Sequence, residues 1–138
     1  MVMYGDKSDL MFDFEQYSIP QDMIEFLRIS NLEEGTNSYL AFKLMNDKLL
    51  NSPSSNDRVV IFMTNTKSSK KTDSVISESD KSKIFGAEIF SVGIGWLYNL
   101  DELKAIASIE DDLHVKLIND YSIESAHKYA ENVLKIYC

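Results

Sequence analysis

The chain has 138 residues, of which 44% are hydrophobic and 26% are charged, as expected for one soluble globular domain with a single core. Its formal net charge of -8 argues against proteins that hold nucleic acid or an anionic membrane through positive charge. No apolar stretch approaches the ~18 residues of a membrane span, and the first ten residues lack the pattern of a signal peptide, so neither is predicted in this chain.

The first half of the chain predicts two short strands followed by two helices. The strands are expected at Val2–Tyr4 and Leu10–Phe14, with a polar turn between them. The first helix is expected to start near Ser18, which can cap it, because Met23, Ile24 and Leu27 fall at helical spacing. Pro20 is compatible with this start, since proline is tolerated in a first helical turn. The second follows the turn at Gly35–Asn37, where apolar residues begin to recur at every fourth position.

The second half predicts strands separated by helices. Residues 59–63 form an apolar run without alternation, which predicts that a strand from Arg58 to Met63 is buried on both faces of a parallel sheet. The polar residues 67–84 are expected to form either a mobile loop or a weak exposed helix. The remaining predicted elements are a buried strand at 87–95, a helix capped by Asn99, a short strand at 114–118 and a helix over 123–137.

This order of elements predicts an α/β fold with a doubly wound, mostly parallel sheet and an antiparallel edge strand. In such folds ligands bind beyond the carboxyl ends of the strands. The turn at Gly35–Asn37 and the strand end at Thr64–Asn65 both belong to that rim by pattern alone.

Catalytic residues are poorly represented in the sequence. Neither His114 nor His127 has an evident serine or cysteine partner. Gly93–Gly95 lacks the third glycine of a dinucleotide-binding loop, and Glu110–Asp112 has the pattern of a solvated turn. An α/β enzyme using one of the histidines in a pocket at the sheet end is therefore kept only as a minor alternative.

Four side chains at the predicted rim each allow a structural and a functional interpretation. The Thr36 hydroxyl either caps the following helix or belongs to a binding site. Asn65 either closes an Asx turn or belongs to the same site. Trp96 and Tyr98 could line the rim, but a place in the core or a loop-anchoring role is expected for both.

Five segments, taken in their order and spacing, resemble a von Willebrand factor type A domain of the extracellular-matrix group, which includes matrilins, cochlin and the type VI collagens. The resemblance covers essentially the whole chain. The segments that carry it are GTNSYLAFKLMNDKLLNS, RVVIFMTNTKSS, GAEIFSVGIG, NLDELKAIAS and HVKLINDYSIESAHKYAENVLKIYC.

The resemblance implies a Rossmann-like fold with one divalent cation, usually Mg²⁺, in a metal-ion-dependent adhesion site. Its ligands in the family come from a D-x-S-x-S motif after the first strand, a Thr in a later loop and an Asp at a strand end. Thr36 matches the family Thr, and Asn65 stands where the family has the Asp. The implied ligand-binding rim around these two residues consists of Gly35, Asn37, Thr64 and Thr66.

Two departures from the family shape the expectations. No D-x-S-x-S motif occurs, so residues 1–138 are expected to form one partial domain that lacks the first strand and the first helix. Asn65 offers a neutral amide oxygen in place of a carboxylate, so no tightly bound cofactor is expected, and Mg²⁺ only if the missing segment is restored. The strands at Val2 and Val59 would then show exposed edges that can associate with another chain.

The resemblance also implies a function. We expect a non-catalytic protein-interaction or adhesion module of an extracellular, secreted protein, whose partner is a matrix or cell-surface protein. The alternatives are a metal-independent spacer or assembly module, or a truncated gene product without independent function. Cys138, the only cysteine, is either an unpaired terminal thiol or, as the resemblance implies, half of a disulfide whose partner lies outside the chain.

Overall fold

The computed structural model describes residues 1–12, 35–50 and 58–119, with single positions at 22, 122, 128 and 131. The helices expected from Ser18 and over 123–137, and the disulfide candidate Cys138, lie outside the described residues. The described elements in chain order are β1 (Val2–Tyr4), β2 (Ser8–Leu10), α1 (Ser38–Leu50), β3 (Arg58–Thr66), α2 (Thr72–Ile84), β4 (Ala87–Leu97), α3 (Leu100–Ile106), α4 (Asp111–His114) and β5 (Val115–Ile118).

The chain divides into two compact units, and the first comprises residues 1–53 and 68–78. In it, β1 and β2 form an antiparallel two-stranded sheet in which Val2 lies opposite Leu10. The turn is tighter than expected, because β2 begins at Ser8. Helix α1 packs against both strands, and the Ser8 hydroxyl donates a hydrogen bond to the carbonyl of Leu40 at 3.2 Å.

The second unit comprises residues 54–67 and 79–138 and contains a three-stranded parallel sheet in the order β3-β4-β5. Helices connect these strands along the chain, as parallel pairing requires. The predicted α/β class with a parallel sheet is therefore confirmed. Within the described residues, the antiparallel hairpin forms a separate sheet of two strands.

The central strand β4 carries the core of the second unit. Ile89, Phe90 and Val92 are fully buried, so both faces of β4 are covered. On the face that Ile89 shares with Gly93, a Cβ added at Gly93 would lie 2.8 Å from Leu103 of α3. Helix α3 therefore packs directly on the strand, which requires a residue without a side chain at this point. As predicted, the Asn99 side chain caps α3, accepting from the backbone N–H groups of the second and third residues after it.

Strand β3 corrects one expectation. Val59, Ile61 and Met63 are 41%, 48% and 47% exposed, so the strand predicted to be buried on both faces has one face open to solvent. Phe62, on the opposite face, is 6% exposed. The physical reason is strand order: β4 lies between two strands, whereas β3 is the outer strand of the described sheet.

The polar segment after β3 contains a regular helix of 13 residues, α2. Its fully buried positions Val75, Ser79 and Ser82 recur at helical spacing. One face of the helix is therefore buried, although two of these three side chains are small polar serines at positions where aliphatic residues usually lie. Of the two alternatives for this segment, the mobile loop is wrong for residues 72–84, whereas the helix forms and has one buried face.

Candidate functional site

The rim of the first unit is built around the turn that precedes α1. The carbonyl of Thr36 accepts hydrogen bonds from the backbone N–H groups of Ser38 and Ser69, each at 3.0 Å, and from the Ser68 hydroxyl at 3.3 Å. Thr36 is half-buried. In the described part of the chain its carbonyl, and not its hydroxyl, forms these contacts, so the structure gives no support to Thr36 as a hydroxyl cap of the helix.

The residues on either side of Thr36 differ in chemistry. Gly35 has φ of +117°, and a Cβ there would lie 2.2 Å from the backbone nitrogen of Asp6, so only glycine fits. Asn37 and Ser38 are 8% and 2% exposed, and neither Asn37 Oδ1 nor Ser38 Oγ has a hydrogen-bond partner among the described residues. The sequence did not predict that Asp6, in the β1–β2 turn, lies beside this loop.

The rim of the second unit is the carboxyl end of β3. The Thr64 hydroxyl donates to the carbonyl of Thr66 at 2.8 Å and accepts from the Thr66 N–H at 3.3 Å. The side-chain contacts that close the backbone here are therefore made by Thr64, and not by Asn65 in the Asx turn that was one of its two alternatives. Asn65 is exposed, and no hydrogen bond of its side chain is found within the described ranges.

Trp96 and Leu97 belong to this second rim. The sequence favoured a core or loop-anchoring position for Trp96 over a place at the rim, and it led to no prediction for Leu97. Trp96 is 77% exposed, and Leu97 is 75% exposed. Tyr98, in contrast, is half-buried and packs against Gly93, as expected of a loop anchor. The position of Trp96 after two closely spaced glycines at a strand end was the only available signal that it could point outward.

The two residues matched to the family's metal ligands belong to different units, Thr36 to the first and Asn65 to the second. Mg²⁺ prefers carboxylate ligands with near-octahedral oxygen geometry. Asn65 carries no charge, and no group of three or more His, Cys, Asp or Glu side chains among the described residues could hold an ion. These two positions offer a threonine hydroxyl and a neutral amide as possible ligands, and no carboxylate.

His114 is a packing residue in the described structure. Its ring is 6% exposed and lies 4.8 Å from the Phe90 ring, centroid to centroid. Nε2 is 2.6 Å from Glu88 Oε1, and Nδ1 is 3.2 Å from the carbonyl oxygen of Glu110. These contacts orient the imidazole toward a carboxylate and a backbone oxygen, which is an arrangement without a nucleophile.

The acidic residues 110–112, of which the last two begin α4, are exposed, as predicted for a solvated segment. Asp111 forms a salt bridge of 3.0 Å with Lys104. The hydrogen bond from Lys104 to Asp111 and the charge of that carboxylate raise the pKa of the Lys104 ammonium above its usual value. Glu110 is the only described residue other than glycine with a positive φ, at 74°.

None of the helices in the described portion is long and apolar enough to cross a membrane.

Comparisons with known proteins agree with the fold. A family model described as von Willebrand factor type A domain matches residues 1–129. No curated protein matches the chain. A crystal structure of proximal thread matrix protein 1 from the mussel byssus is 22% identical with a TM-score of 0.80, covering 99% of this chain and 34% of that one.

Two further structures are similar. The same mussel protein with a zinc-occupied MIDAS motif is 23% identical with a TM-score of 0.80, covering 99% of this chain and 34% of that one. The conserved hypothetical protein BatB from Bacteroides thetaiotaomicron is 16% identical with a TM-score of 0.62, covering 99% of this chain and 78% of that one. The chain thus spans about a third of the mussel protein's length, and at these identities the likeness concerns the fold.

Proposed function

Because the chain belongs to the von Willebrand factor type A domain family, we propose that it is a non-catalytic protein-interaction module whose metal-ion-dependent adhesion site is degraded. The observation that carries this proposal is the exposed, neutral Asn65 at the carboxyl end of β3, next to a Thr64 hydroxyl that is used in a local turn. A contact between proteins at this rim would not depend on a bound cation.

The missing charge at position 65 is the main argument against a tightly bound metal ion. Removing water from a doubly charged ion is costly, and anionic ligands offset that cost through their charge. An amide oxygen can coordinate but contributes no net charge. We therefore propose that Thr36 and Asn65 are remnants of a metal site, and that residues 1–138 form one partial domain.

The proposed partner is a matrix or cell-surface protein, and the proposed location of the whole protein is extracellular. Supporting this, the similar mussel structures come from a thread matrix protein. The family supports a non-catalytic role, because domains of this type are generally interaction modules. The rim residues Gly35, Asn37, Thr64 and Thr66 remain proposed contributors to partner binding.

Calorimetric titration of the whole chain with Mg²⁺ and Mn²⁺ tests the degraded site. We expect no binding in the micromolar range, and we expect Asn65→Asp to bind more tightly than the native chain because it restores a negative ligand. Asn65→Ala is the matched control and should behave like the native chain. Micromolar binding by the native chain that is lost in Thr36→Ala would overturn the proposal.

A metal-independent assembly module is the second candidate, and the open face of β3 favours it. Val59, Ile61 and Met63 form an exposed apolar row of the kind that other chains cover in assemblies. Sedimentation of the native chain beside Ile61→Lys distinguishes this candidate. It requires self-association that the charged variant abolishes, whereas a strictly monomeric native chain argues against it.

A further inference from the structure

The exposed face of β3 carries three apolar side chains in one row. Val59, Ile61 and Met63, which form the β3 row, are 41%, 48% and 47% exposed. They occupy alternate positions of the strand and so share one face of the sheet, and Phe62 on the opposite face is 6% exposed. Single exposed apolar residues are ordinary, whereas a contiguous row of three is of the kind that marks an interaction surface.

The register with β4 shows what borders the β3 row. Its three residues pair in order with Glu88, Phe90 and Val92, which lie on the same face of the sheet. Phe90 and Val92 are fully buried, and the Phe90 ring lies 4.8 Å from the His114 ring, centroid to centroid. The Glu88 side chain is 36% exposed. The open strip is therefore one strand wide, with a covered strip along β4 and a partly exposed carboxylate at the Val59 end.

The element that suits such a strip is a helix. Parallel sheets are covered by helices on both faces, and α3 packs on the opposite face of β4. The β3 row covers four residue steps, or ~13 Å along the strand. Helical residues at positions i, i+4 and i+8 lie on one stripe that spans ~12 Å. Three apolar side chains of one amphipathic helix therefore match the three residues of the row, which is how helices bind in apolar grooves.

The charges on this face favour a basic partner. Among the β4 residues that pair with positions 59–63, Glu88 is the only charged one. Lys116 shares the face but lies on β5, two strands from β3 and beyond the buried Val92. Arg58 belongs to the opposite face by alternation, and its guanidinium donates to a backbone carbonyl at 2.6 Å. A helix on the β3 row therefore meets a carboxylate at one end, which a basic side chain complements.

A second copy of the chain suits the strip less well. Stable dimers bury about 800 Å² on each partner, and a row of three half-exposed side chains presents only a part of such an area. Each copy would also bring a net charge of -8, which repels its like but attracts a basic partner. Shape and charge therefore both favour a helix from a different protein.

We propose that the β3 row binds an amphipathic helix of a partner protein. The helix contributes three apolar side chains at i, i+4 and i+8, and a Lys or Arg at the end that lies beside Glu88. This inference goes beyond the proposed function at the carboxyl rim, because its surface is a face of the sheet. It also assigns to the open face of β3 an occupant other than a second copy.

Selection from a displayed library of helical miniproteins, each with one randomised helix face, tests the proposal on the intact chain in EDTA. We expect the enriched helices to carry apolar residues at i, i+4 and i+8 and a basic residue at one end. Ile61→Lys should weaken their binding by about tenfold or more, measured by fluorescence anisotropy, because a charge then stands in the middle of the row. Glu88→Gln should weaken it by about threefold or more, but should not affect helices in which the basic residue is replaced by glutamine.

Two controls make the result specific to the β3 row. Leu117→Lys adds the same charge at a 40% exposed position of β5 on the opposite face, and it should leave the affinity within about twofold. Maleimide labelling checks that the row is open, in a Cys138→Ser background that lacks the only native cysteine. Ile61→Cys should react within about threefold of the rate of Leu117→Cys, and a much slower reaction would show that other residues of the chain cover the row and would overturn the inference. Circular dichroism confirms that each variant is folded.

Three further outcomes would overturn the inference. Enriched helices that bind Ile61→Lys as tightly as the native chain would show that another surface is used. Self-association of the native chain in sedimentation, abolished by Ile61→Lys, would show that a second copy covers the row and would support the assembly module instead. A library that yields no enriched helix would contradict a helical partner. None of these results depends on position 65 or on a metal ion, so the calorimetric test of the rim succeeds or fails separately.

Discussion

Strands β3 and β4 are neighbours in one parallel sheet, and both are apolar, yet they differ in burial. Val59, Ile61 and Met63, which share one face of β3, are 41–48% exposed. Ile89, Phe90 and Val92 of β4 are fully buried. The register places Ile61 beside Phe90 and Met63 beside Val92. Residues that share a face of the sheet therefore differ in exposure because of the strand on which they lie.

The difference shows that an unbroken apolar run determines strand formation but not two-sided burial. The central strand β4 pairs with a strand on each side and is buried on both faces. The outer strand β3 pairs on one side only in the described sheet, and one of its faces is exposed. The apolar row on β3 is then available to another chain. Substitutions in the two strands should differ in cost accordingly.

The largest effect is expected from Phe90→Ala. Phe90 is fully buried and contacts the His114 ring, so its truncation should lower the free energy of unfolding by about 3–5 kcal/mol. Urea unfolding followed by circular dichroism measures the change. A loss below about 1 kcal/mol would mean that the β4 core is not packed as described.

Gly93→Ala probes the contact between β4 and α3. The new methyl group would lie 2.8 Å from both the Leu103 and the Tyr98 side chain, so both side chains must move or the backbone must shift. We expect a loss of about 1–3 kcal/mol in the free energy of unfolding. Leu103→Ala removes one of the two side chains that the methyl group would meet, so Gly93→Ala should cost less stability in a Leu103→Ala background than in the native chain. An equal cost in both backgrounds would contradict the described contact.

Asn99→Ala removes the cap that starts the helix over β4. Asn99 Oδ1 accepts from the backbone N–H groups of Asp101 at 3.0 Å and Glu102 at 3.3 Å. Its loss should lower the free energy of unfolding by about 1 kcal/mol, measured from the urea midpoint. Asn99→Ser is the matched control, because serine is a comparable cap and should restore most of the stability.

Ile61→Ser tests the open face of β3 and should have the smallest effect on stability. Because Ile61 is 48% exposed, we expect a change of about 0.5 kcal/mol or less in the free energy of unfolding if the chain is monomeric. Solubility should increase, as measured by light scattering at rising concentration. A loss comparable to that of Phe90→Ala would show that this face is covered in solution.

The sequence predicted the α/β class, the strands after residue 58 and the Asn99 cap, because each depends on local chemistry or on the spacing of apolar residues. It left residues 67–84 open between a mobile loop and a weak exposed helix, because the buried positions Ser79 and Ser82 of α2 do not contribute to a pattern based on hydrophobicity. It also missed the exposure of Trp96. Trp96 lies in a bulge where three residues of β4 lie opposite one residue of β3, and a bulge arises from pairing between distant residues and has no local signature.

At the rim, residue types were easier to predict than their partners. The sequence identified Asn65 as a neutral residue at a strand end, and its exposure agrees with that placement. It could not show that Thr64 closes the turn, since both residues are able to do so and the outcome depends on backbone geometry. The proximity of Asp6 to Gly35 likewise arises from chain folding and has no local signature.

The imidazole of His114 ties together two parts of the second unit. Nε2 lies 2.6 Å from Glu88 Oε1 on β4, and Nδ1 lies 3.2 Å from the carbonyl oxygen of Glu110, the residue that precedes α4. Both contacts depend on one ring, so a substitution at position 114 would remove them together and would weaken the attachment of α4 to β4.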